Sequence, residues 1–122
     1  MKSPREVANL LIKALRNNDL ELMASLFNAA NRKRFLPATE EKIKIMARLR
    51  QNELKKIADI SEVEEIREPP FYIRWNAVIV KVSQIGNQVH VIVLTKEEDG
   101  YYFEDFNSLH ITDYQKLKIL DF

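Results

Sequence analysis

The chain has 122 residues, 46% hydrophobic and 30% charged, with a formal net charge of +1 at pH 7. That length suits one domain with a core of its own. The absence of Cys excludes disulfides, thiolate metal sites and a cysteine nucleophile.

No apolar run reaches membrane-spanning length. Met1-Lys2-Ser3-Pro4 leads straight into a helix signal, so no signal peptide is expected within the chain. A leader removed upstream would leave no trace, and the compartment stays open. Residues 1–58 carry 13 Lys/Arg against 6 Asp/Glu, and residues 59–122 carry 6 against 12. Two halves of opposite sign fit faces of one domain that exchange ion pairs; a basic surface for an anionic partner is the competing explanation.

Ser3 with Glu6 forms a capping box, and Pro4 suits the first helical position. Val7, Ala8, Leu11, Ala14 and Leu15 then fall on one helical face. Asn17-Asn18-Asp19 breaks this helix and caps a second one. Its stripe is Leu20, Met23, Leu26, Phe27 and Ala30, and Arg32-Lys33-Arg34 lies near its end, where the helix dipole favours cations. Thr39 caps a third helix with Glu40 and Glu41 in its first turn; Arg50-Gln51-Asn52 is a point where it breaks or bends.

Beyond Asp59 the period changes. The stretch from Ile60 to Arg67 reads as a short edge strand, although Ser61 and Glu64 also have helix-capping spacing. Pro69-Pro70 punctuates the chain. Two β-branched runs follow, Phe71 to Ser83 and Gln88 to Lys96. Gly86-Asn87 between them has the order of a type II′ hairpin turn.

That turn sets Ile85 opposite Gln88, and regular pairing then puts Val82 opposite Val91 and Val80 opposite Val93. One face would carry Val78, Val80, Val82, Val89, Val91 and Val93. The other would carry Trp75, Ala77, Ile79, Ile92 and Leu94. Both faces are apolar, whereas a sheet with one wet face alternates with polar residues. Helices cover one; a ligand, a second subunit or the C-terminal segment must cover the other. Asp99-Gly100 makes the next turn and Tyr101 to Phe106 a further strand. The tail fits either a short helix from Thr112 or a strand through Leu117 and Ile119. The fold class is therefore α+β, with N-terminal helices packed on a curved antiparallel sheet.

Three stretches carry a likeness: Ser3-Pro4-Arg5-Glu6-Val7 through Asn18-Asp19-Leu20-Glu21, Asn76 to Val82, and Glu98 to Phe106. They resemble the nuclear-transport-factor-2-like, cystatin-like superfamily, in particular a small bacterial branch. That branch usually has Trp where Tyr101 stands, and many members stop near Phe106. The resemblance implies a cone-shaped sheet, often a pocket between helices and sheet, and often dimerisation through the sheet. It implies no particular chemistry.

Tyr72, Arg74 and Asn76 share the face of the valine row, and Tyr101, Glu104 and Asp105 on the closing strand complete a pocket candidate. The alternative for Arg74 is an ion pair with Glu64 or Glu104. Trp75, Ile79, Ile92 and Leu94 form a dimer-interface candidate, with burial under the tail as the alternative. His90 and His110 each stand without the spacing of a metal site or triad, so no catalytic group, metal or cofactor is assigned. The exposed cations of the third helix lack the interleaved aromatics of a nucleic-acid surface. The expectation is a non-catalytic binding or accessory domain, a homodimer with a small apolar ligand. An isomerase or dehydratase of the same superfamily, or a domain binding an anionic partner through its basic half, are the alternatives.

Overall fold

Ser3 caps the first helix as predicted, although Glu6 meets its hydroxyl (3.4 Å) in place of its backbone N–H. The Ser3 Oγ accepts the Glu6 N–H at 3.2 Å, and α1 runs Pro4–Asn17. The computed structural model describes residues 2–57, 65–68 and 77–120. Asn18 ends α1 in the left-handed region at φ 51°, and the Asp19 side chain caps α2, Leu20–Leu26, by accepting the Leu22 N–H.

The second predicted helix is in fact two. Phe27 is extended, and α3 starts afresh at Ala29–Phe35 under the cap of Asn28, whose side chain accepts the Asn31 N–H at 2.9 Å. Conversely, α4, Glu40–Ile57, continues through Arg50-Gln51-Asn52 without the expected break. None of those three residues is Gly or Pro, and nothing in their backbone chemistry forces a stop.

Four strands and a short fifth follow: β1 Glu65–Glu68, β2 Ala77–Ile85, β3 Gln88–Glu97, β4 Gly100–His110 and, after α5 Ile111–Gln115, β5 Lys118–Ile119. They form one unclosed antiparallel sheet in the order β4-β3-β2-β1-β5. Of the expected edge strand Ile60 to Arg67, residues 60–64 lie outside the described residues; β1 itself has β5 paired outside Arg67 and Glu68. The tail uses both of its predicted forms, α5 and then β5, with His110 rather than Thr112 as the cap.

The hairpin closes as predicted, Ile85 opposite Gln88, with Gly86 at φ 59°. The predicted pairing fails further down. Ser83 pairs with His90 but Lys81 with Val91, leaving Val82 as a bulge residue without a partner of its own. Val80 consequently faces Ile92 and Val78 faces Leu94. The true first face is Val78, Val80, Val82, Ile92 and Leu94, in one core with Val7, Leu11 and Leu15 of α1. The second is Ala77, Ile79, Val89, Val91 and Val93, packed with Tyr114 and Leu117. The C-terminal segment thus packs on this second face, whose five sheet residues are all 2% exposed or less.

Candidate functional site

A second bulge lies on β4. Val93 pairs with Asp105 but Leu94 with Phe103, so Glu104 is the extra residue. Phe27 bridges Phe103 at the outer margin of β4, and the Asn28 N–H donates to the Phe103 carbonyl at 2.8 Å. Phe27 itself stays in the core of the first face. The residues just after it reach groups that alternation along β3 and β4 assigns to the second face. Asn28 Nδ2 donates to Thr95 Oγ1 (3.1 Å), and that hydroxyl donates to Glu104 Oε1 (3.3 Å). Glu97 accepts from the Ala29 N–H (2.8 Å) and from Arg32 Nη2 (2.9 Å), and the Arg32 guanidinium lies 5.1 Å from the Tyr102 ring centroid. Residues 28–32 therefore grip the β4 edge, while Phe35 at the end of α3 packs back into the first-face core beside Phe27.

Asn31 completes the attachment. Its Nδ2 donates to the carbonyls of Phe103 (2.9 Å) and Glu104 (2.8 Å), so one side-chain amide closes the bulge. With α3 fixed by Asn28, Asn31 and Arg32, a cleft of about 510 Å³ remains between α3, α4 and the middle of β4. Its apolar lining is Phe35, Ile45, Leu49, Val93 and Phe103; its polar lining includes Arg34, Glu104, Asp105 and Asn107. Phe35, Val93 and Phe103 are buried, whereas Ile45 is 43% exposed and stands at the rim. A cleft of this size with an apolar floor and a few polar groups suits a small ligand.

Two rim groups are oriented by the backbone. The Asp105 carboxylate accepts the Phe106 N–H (2.9 Å) through Oδ1, and Asn107 Oδ1 accepts the Ser108 N–H (2.8 Å). Arg34 is held over the Phe35 ring, 5.0 Å from its centroid.

Of the pocket residues predicted from sequence, the two that are described lie apart. Asp105 belongs to this cleft, while Tyr101 packs against the core of the first face and lines a separate depression beside Lys2, Glu6 and the β3–β4 turn. Tyr72, Arg74, Asn76 and Trp75 lie outside the described residues. Ile79 is on the second face, but Ile92 and Leu94 are on the first, so these three do not form the common surface expected of them. The Val82 bulge is the reason.

His90 is half-buried on the first face, opposite Ser83, with Nδ1 2.7 Å from Ser108 Oγ. Asp105 is on the other face, so the structure does not bring this His and this carboxylate together. His110 serves α5, accepting the Thr112 N–H at its ring nitrogen. Among the described residues no three His, Asp or Glu are grouped as a metal would need.

A polar cluster that sequence reading missed sits where β1 meets α5. Arg67, 9% exposed, gives Nε and Nη2 to Glu65 Oε2 and Nη1 to the carbonyls of Tyr114 and Leu117 (both 3.3 Å). The Tyr114 hydroxyl donates to the same Glu65 oxygen. Donation from Tyr114 holds the Glu65 carboxyl below its ordinary value, with Arg67 and Lys81 adding to the effect against a desolvation penalty. Burial pushes the Tyr114 hydroxyl well up, and the Glu65 carboxylate adds to that. Every group here is engaged in holding the tail to the sheet.

No family model, no curated protein and no solved structure matches the chain. No helix is long and apolar enough to cross a membrane, among the described residues.

Proposed function

We propose that this chain is a non-catalytic binding domain that holds a small amphipathic ligand in the cleft between α3, α4 and β4. The observation that carries this reading is the bulge at Glu104, where Asn31 ties α3 across the sheet margin and leaves an apolar floor beneath a polar rim. Helices that precede an unclosed antiparallel sheet and pack on it support the nuclear-transport-factor-2-like assignment as part of the same proposal. Dimerisation through Ile79, Ile92 and Leu94 has no support in the packing, since they are 2%, 0% and 0% exposed within one chain.

The test is a two-dimensional amide NMR screen of the full chain against small amphipathic fragments. Binding here moves the amides of Asn31, Asp105 and Asn107 together. Leu49→Arg, at a half-buried wall position, abolishes the shifts while leaving the melting temperature close to that of the parent. Shifts confined to other surfaces, or shifts that survive Leu49→Arg, would overturn the assignment.

A further inference from the structure

The cleft is charged with opposite signs on opposite sides. Arg34 comes from α3, while Asp105 and Glu104 come from the bulge of β4. Among the described contacts no ion pair joins Arg34 to Asp105, although both line the same space. Each is nevertheless oriented: Arg34 by the ring of Phe35 beneath it, and Asp105 by the Phe106 N–H at one of its two carboxylate oxygens. The carbonyls of Phe103 and Glu104 already accept from Asn31, which leaves Arg34 and the acidic pair as the charged groups of the lining.

We infer that the ligand is a small zwitterion with an apolar body, the chemistry of a short apolar peptide. The inference rests on the cleft being the binding site. A carboxylate would meet Arg34, an ammonium would meet Asp105, and an apolar side chain between them would lie on Phe35 and Phe103. Glu104 makes the β4 side negative as a whole, which fixes the direction in which such a ligand lies. A volume of about 510 Å³ falls within the range of small-molecule sites. Both charges are on exposed residues, so each terminus contributes modestly, about three- to fivefold in affinity.

The probes are leucyl-phenylalanine, its N-acetyl form, its C-terminal amide and the doubly blocked peptide, titrated into the full chain and followed at the amides of Asn31, Asp105 and Asn107. The free dipeptide binds tightest, each single block weakens it about three- to fivefold, and added salt narrows the difference. Arg34→Gln removes the advantage of the free carboxylate only. Asp105→Asn keeps the acceptor for the Phe106 N–H and removes the advantage of the free ammonium only. If the doubly blocked peptide binds as tightly as the free one, the ligand class is wrong while the cleft stands. If no form moves those amides, but the fragment screen does, the peptide class is likewise rejected; if neither does, the cleft itself fails as a site.

Discussion

The Arg67 guanidinium lies 4.2 Å from the centroid of the Tyr114 ring, and the same arginine donates to the backbone carbonyl of Tyr114. One side chain from β1 therefore grips α5 by its ring and its backbone at once, and reaches Leu117 as well. Truncating it removes a donor from both carbonyls and leaves the Glu65 carboxylate with the Tyr114 hydroxyl but without its cation. We expect Arg67→Met to cost about 2–3 kcal/mol, read by urea denaturation, because unpaired polar groups are costly even when partly wetted. Hydrogen exchange at residues 114–119 should accelerate more than exchange in α1. A uniform change in protection would contradict a local clamp.

Glu65 gives the clamp a pH dependence. Its carboxyl is held below its ordinary 4.5, so the folded chain binds fewer protons there than the unfolded chain does. The stability it contributes is complete above about pH 4.5 and is lost as the pH falls through the lower, folded value. Glu65→Gln should therefore flatten the acid limb of a stability-against-pH curve relative to the parent. The two curves should not converge near neutrality, where the parent keeps its advantage. Tyr114 titrates in the opposite sense: its raised value means that its contribution is present below about pH 10 and lost above it.

Asn28 is a helix cap with a second duty. Asn28→Ala removes the acceptor for the Asn31 N–H and should cost about 1–2 kcal/mol. Asp is ordinarily as good a cap as Asn, yet here the amide also donates to Thr95, beside Glu104. Asn28→Asp should consequently be no better than Asn28→Ala by thermal unfolding. Full stability in the Asp variant would show that only the cap matters.

Asp105 and Asn107 each occupy the N–H that follows them on the margin of β4. Unpaired edge N–H groups template association with other strands. The double variant Asp105→Ala, Asn107→Ala should show concentration-dependent sedimentation, whereas Asp105→Asn should sediment like the parent. A double variant that remains unchanged at high concentration would rule out this protective role.

What the sequence disclosed was what local spacing controls. The Ser3 cap, the Gly86-Asn87 turn and the two apolar faces all follow from residues a few positions apart. The Val82 bulge leaves no such mark, because Val80-Lys81-Val82-Ser83 alternates as an unbroken strand would; only the partner strand reveals the slip. That single residue exchanged the face assignments of Ile92 and Leu94 with those of Val89, Val91 and Val93. In the cleft, Asp105 was legible as a candidate, but Asn28, Asn31 and Arg34 were hidden by reading α2 and α3 as one helix. A signal did exist in Asn28, a capping residue with a polar residue three positions on, set inside an apolar stripe. The Arg67 clamp was not legible, since its partners lie 47 and 50 residues away in sequence.

At two points the margins of the sheet are already taken by the chain itself. Phe27 occupies one margin beside Phe103, and Ile119 occupies the other beside Arg67. Lateral growth by another strand at either position would first have to evict a piece of this same chain. Elsewhere along β4 it is side chains, those of Asp105 and Asn107, that take over the same task.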